Sequence, residues 1–140
     1  MLKNKIYNFF GRRYVVRRRV IRVAGPKKIL GHLTAKDFKE NKKASYALIT
    51  ERIAYFNQSG EFPVGKIFIK NQKTRWGSCS GKRNLSFNYK LLFLPENLRD
   101  YIIIHELCHL KEMNHSKNFW SLVALQVPNY KSLRRQIKPY

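Results

Sequence analysis

Three of the four histidines of the chain, His105, His109 and His115, fall within eleven residues, and Glu106 follows the first of them. On an α-helix, residues four apart share a face and sit about 6 Å apart along the axis, so His105 and His109 can turn two imidazoles toward one ion. Zinc takes nitrogen ligands at about 2.0–2.1 Å in a tetrahedral array, and a catalytic site keeps one position for water. Glu106, about 100° round the helix from His105, is spaced to take a proton from such a water. The competing reading is a chance pattern, or a helical histidine pair that only packs. Two features weigh against it. The apolar run Tyr101-Ile102-Ile103-Ile104 leads straight into the pair, and a third histidine stands six residues beyond His109.

The third ligand must come from beyond the pair. Glu112 lies seven residues past His105 on the same helical face. Seven residues rise about 10 Å, too far for one straight helix to wrap a single ion. The chain must turn back. The pattern predicts a helix to about Met113, ended by Asn114 in the left-handed conformation, after which His115 folds under the metal as third ligand.

The stretch His105-Glu106-Leu107-Cys108-His109-Leu110-Lys111-Glu112-Met113-Asn114-His115-Ser116, with Phe119-Trp120 beyond it, closely resembles the YgjP-like metallopeptidases, relatives of the SprT-like zincins. Lys73-Thr74-Arg75-Trp76-Gly77-Ser78-Cys79-Ser80 is similar to a second signature of that family, and Pro128-x-Tyr130 to its tail. These motifs stand in the family's order over roughly residues 44–138. The ligand spacing is also similar to that of the metzincins, but their helix ends at a glycine where this chain has Glu112. The resemblance implies an α+β, zincin-like fold, with a long backing helix, a small mainly antiparallel sheet and an HExxH active-site helix. It also implies a zinc-dependent metallopeptidase with one zinc per chain, a metal-activated water, Glu106 as general base and a polypeptide substrate. Such a substrate is expected to add as a strand to a sheet edge near the helix. Arg75 and Tyr130 are the candidates for an oxyanion or substrate contact; each can equally be structural, as a buried cation and a core ring.

A chain of 140 residues with 44% hydrophobic and 14% aromatic residues is expected to form one domain, 1–140, with 1–33 as a basic, strand-rich N-terminal extension. No apolar run approaches the roughly 20 residues of a membrane span, and Met1–Phe10 lacks a signal-peptide core and cleavage site. A cytoplasmic location is the expectation, and two cysteines, Cys79 and Cys108, are no disulfide framework. No feature specifies an oligomer, so a monomer is assumed. The formal net charge of +21 makes contact with nucleic acid an open alternative. Arg17, Arg18 and Arg19 are the candidate phosphate contacts, unless they only mark a charged strand edge. On that alternative the chain is a nucleic-acid-binding module whose zinc is structural, with Cys79 or Cys108 as fourth ligand. Glu106 argues for the enzyme, because a closed structural site needs no base.

The remaining elements must position this site. Residues 12–23 mix arginines with β-branched residues and predict a strand, broken at Gly25-Pro26, with a short return strand at Ile29-Leu30. Thr34 opens a helix with Asp37 in a capping box. Phe38, Ser45, Leu48, Ile49, Ile53 and Phe56 form its inward face, and Asn57 to Gly60 end it. Lys66–Lys70 and Asn84–Tyr89 alternate with period two, predicting a largely antiparallel sheet over 66–94. Pro95 suits a first helical turn and Ser116 an N-cap. A short basic tail, Lys131 to Lys138, is expected after Pro128.

Overall fold

The computed structural model describes residues 2–9, 12–19 and 33–137. A hairpin of β1 (Leu2–Phe9) and β2 (Arg12–Arg19) pairs antiparallel from Leu2 opposite Arg19 to Phe9 opposite Arg12. Arg17, Arg18 and Arg19 therefore close β2, opposite Asn4, Lys3 and Leu2. β1 was not among the expected strands, and the expected return strand at Ile29-Leu30 lies outside the described residues. The hairpin lies against α1 (Ala35–Phe56).

α1 begins as its sequence directs. The Thr34 hydroxyl accepts from the Asp37 N–H at 3.4 Å, and the Asp37 carboxylate accepts from the Thr34 N–H at 2.7 Å. Aspartate thus closes the box usually made by Glu or Gln. Asn57 ends the helix and holds the chain beyond it, through two bonds of 2.9 Å to the Phe62 backbone. The buried face carries Ser45, Leu48, Ile49 and Ile53, with Phe38 and Phe56 half-buried at its margins.

Three short strands follow: β3 (Ile67–Lys70), β4 (Gly77–Cys79) and β5 (Leu85–Asn88). β5 lies in the centre, wholly buried, parallel to β3 and antiparallel to β4. The sheet over 66–94 is thus mixed rather than largely antiparallel. Period-two alternation identifies strands but carries no information about their relative direction. A 3₁₀ turn, Tyr89–Phe93, leads to α2 (Glu96–His109), then α3 (Lys117–Gln126) and α4 (Tyr130–Ile137). Most of the expected basic tail lies in the helix α4, which is anchored by buried Leu133.

One core joins these parts: Ile49 and Ile53 from α1, Leu85 and Phe87 from β5, and Leu98, Tyr101, Ile102 and Ile103 from α2. Arg52 of α1 grips Asp100 of α2 through a two-pronged ion pair at 3.0 and 2.7 Å. The architecture is α+β and zincin-like, with α1 as the long helix behind the sheet. No helix among the described residues is long and apolar enough to cross a membrane.

Candidate metal centre and cleft

The run Tyr101–Ile104 is buried, fixing how α2 turns and hence where His105, Glu106 and His109 point. α2 stops at His109, four residues before the expected end. The N–H groups of Lys111 and Glu112 both donate to the Cys108 carbonyl, at 3.1 and 3.0 Å. That closure satisfies the terminal carbonyls in a tight turn and needs no left-handed residue. Asn114 is accordingly not left-handed; among the described residues Arg83 alone of the non-glycines has positive φ, at 62°. The early stop lets the chain double back within six residues and bring His115 to the pair.

The three imidazoles meet through their Nε2 atoms. His115 Nε2 lies 3.1 Å from that of His105 and 3.2 Å from that of His109. Two ligands about 2.0–2.1 Å from one ion at tetrahedral angles stand about 3.3 Å apart, so the spacing fits zinc. The proton placement fits as well. His109 Nδ1 lies 3.0 Å from the Glu112 carbonyl, which can only accept, so the proton sits on Nδ1 and the Nε2 lone pair faces the cluster. Burial, then the charges of His109, His115 and Arg134, bring His105 down to about 3. Burial, then the charges of His109 and Arg134, lower His115 as well, which favours the neutral, metal-binding form. Glu112 enters only through its backbone, and neither its carboxylate nor Cys79 or Cys108 joins the cluster. The Cys108 thiol is fully buried and pushed up to about 11, chiefly by that burial.

α3 floors the site. Ser116 caps it, accepting from the Phe119 N–H at 3.3 Å, which sets Phe119 and Trp120 against the histidines. Phe119 stacks on His109 with centroids 4.4 Å apart, and Trp120 stacks on His115 at 5.7 Å. These contacts pack the imidazoles against α3.

Glu106 is 6% exposed, and burial pushes its carboxyl up to about 8 against the pull of the Arg75 charge. Its position depends on Gly77 in β4. A Cβ there would stand 2.8 Å from Glu106 Cγ and 2.9 Å from Oε1, closer than real side chains approach. Glycine at this position thus serves a close approach, and the neighbour is the carboxyl group.

A cleft of about 520 Å³ opens over these groups, lined by His105, Glu106, His115, Arg75, Trp120 and Arg134 among others. Arg75 is exposed on its wall rather than buried. Tyr130 is half-buried, its ring stacked on Trp120 at 5.3 Å, and does not line the cleft. Arg134 escaped the sequence reading. Its only signal was the spacing Tyr130, Leu133, Arg134, Ile137, legible once residues 130–137 are taken as a helix.

Residues 26–140 match the model of the YgjP-like metallopeptidase domain. The chain belongs to the YgjP-like metallopeptidase family. It is thereby a metal-dependent hydrolase with zinc as its cofactor and polypeptide as its substrate class. Among solved structures, it is similar to the metallopeptidase zymogen abylysin of Pyrococcus abyssi, with 28% identity and a TM-score of 0.57 over 64% of this chain and 90% of that one. It is also similar to the zymogen jannalysin of Methanocaldococcus jannaschii, with 26% identity and a TM-score of 0.55 over 64% of this chain and 92% of the other. No curated protein sequence matches.

Proposed function

We propose that this family member hydrolyses peptide bonds with His105, His109 and His115 holding one zinc ion and Glu106 serving as general base. The carrying observation is the convergence of three Nε2 atoms beside a buried carboxyl group in one cleft. Zinc in such a site lowers the pKa of water toward neutrality and polarises a carbonyl. The Glu106 carboxyl, its proton affinity raised by burial, is suited in its ionised form to take a proton from the attacking water and return it to the leaving amine. Gly77 keeps that carboxyl in place, and the Phe119 and Trp120 rings hold the imidazoles. Arg75, on the cleft wall, is the candidate donor to the developing oxyanion or the substrate; Tyr130 is the weaker candidate because its ring is engaged with Trp120. β4 is an outer strand of its sheet and lies against α2, so an extended substrate can pair along it. The alternative of a closed structural zinc site loses its support, since neither cysteine joins the histidines.

Glu106→Gln keeps the shape of the side chain and removes the base. Zinc content and melting temperature should match those of the wild type, while hydrolysis of an unfolded protein falls at least about a hundredfold. A glutamine variant that retains zinc and cleaves at the wild-type rate would refute the mechanism.

A further inference from the structure

The hydrolytic mechanism leaves one cation of the cleft without a task. α4 brings Arg134 to the cleft, where its guanidinium lies 4.6 Å from the centre of the Trp120 ring. That ring also stacks against both His115 and Tyr130. An exposed arginine on a protein of net charge +21 is ordinarily just a solvated charge. Arg134 differs in three respects. It lines the same cleft as His105 and His115 of the histidine cluster. It is oriented by an aromatic face rather than by an acid, for the ion pairs among the described residues use Glu40, Glu61, Glu96 and Asp100 with other partners. Third, a guanidinium resting on a ring keeps the N–H groups along its edge free to take both oxygens of a carboxylate.

The charge balance of the cleft points the same way. Its lining holds two guanidinium groups, Arg75 and Arg134, against a single carboxyl group, Glu106. A bound divalent ion makes the balance still more positive. We propose that Arg134 forms a carboxylate-binding subsite, so that the preferred polypeptide substrate carries an acidic group beside the scissile bond. The carboxylate can belong to an Asp or Glu side chain or to a free C-terminus. This inference rests on the hydrolytic reading above, and its test separates the two.

The probe is a set of short labelled peptides: a neutral one with an amidated end, amidated versions with one Glu at successive positions, and the neutral one with a free carboxyl end. Their dissociation constants are measured on zinc-loaded Glu106→Gln protein, which holds them without turnover, and again after adding Arg134→Ala, Arg134→Lys or Arg135→Gln. Arg135 neighbours Arg134 on α4 but does not line the cleft. At least one acidic peptide should bind about tenfold more tightly than the neutral one, in line with a charge-assisted hydrogen bond. Arg134→Ala should abolish most of that advantage, Arg134→Lys should keep part of it, and Arg135→Gln should leave it intact. Tighter binding of the internal-Glu peptides assigns the carboxylate to a side chain; tighter binding of the free acid alone assigns it to a C-terminus. Equal affinity for acidic and neutral peptides overturns the proposal. So does an equal loss in Arg135→Gln and Arg134→Ala, which would mark the general field of a basic protein. Wild-type protein that cleaves the neutral peptide, with no acidic preference in binding or rate, sinks the subsite and leaves the hydrolase. An Arg134-dependent preference in binding without cleavage of any peptide keeps the subsite and counts against the hydrolytic reading.

Discussion

Helices α1 and α2 are joined by the Arg52–Asp100 ion pair, yet they bury very different things. α1 hides one stripe, keeps Lys36, Lys39, Lys42 and Lys43 in solvent, and buries as polar residues only neutral Asn41 and Ser45. Asn41 donates to the Asp37 carbonyl at 2.8 Å, and Ser45 to the Tyr89 carbonyl at 3.3 Å. α2 buries ten of its fourteen residues, among them Arg99, Glu106 and His109. Removing an ionised carboxylate from water costs several kcal/mol, and the shift of Glu106 to about 8 is the protein's response. A helix that only supports needs a single apolar face. A helix that does chemistry accepts costly buried groups, and its neighbours must then be shaped to fit them.

The sharpest break of this contrast is at the metal. His109→Ala and His115→Ala should each weaken zinc binding by more than the roughly 10–100-fold typical of a group that only supports a ligand. Glu112→Ala should stay near wild type because its carbonyl, the partner of His109, remains. Titration against a competing chelator gives the ranking; the reverse order would make Glu112 a ligand. Next comes the supporting helix. Ile49→Ala removes a fully buried side chain and should cost about 2–5 kcal/mol in urea unfolding. Zinc stoichiometry and the kcat of the folded enzyme should not change, and a parallel loss of kcat would erase the division of labour between the helices. The smaller effect is expected at the contact between β4 and α2. Gly77→Ala must push Glu106 aside, and a displacement of this kind costs about 10–100-fold in rate. Zinc content should be retained. Undiminished kcat in that variant would mean the carboxyl has room to spare.

What could be read from the sequence was mostly local. His105 and His109 stand four apart, and helical geometry alone puts their rings together. Thr34 and Asp37 carry the cap of α1 within one turn, and Ser116 does the same for α3. His115 followed from an argument about distance along a helix axis, although the helix itself ends earlier than its apolar pattern suggests. That end is decided by two N–H groups sharing the Cys108 carbonyl, a backbone choice with no side-chain signature. The parallel pairing of β3 with β5 was illegible because alternation is the same in either direction. Nothing in the sequence links Gly77 to Glu106, 29 positions away in the chain, as the group it makes room for. Arg134 was hidden for a related reason: only the folding of 130–137 onto Trp120 distinguishes it from the other basic residues of the tail.

A catalytic site built on three imidazoles leaves no place on the metal for a thiolate. X-ray absorption at the zinc edge, on protein loaded with one equivalent of zinc, tests it directly. The expected result is a nitrogen and oxygen shell at about 2.0–2.1 Å, weighted by three imidazoles, and no sulfur shell near 2.3 Å. A sulfur shell at that distance would place Cys79 or Cys108 on the metal, close the position that hydrolysis needs, and rule out a three-imidazole catalytic site.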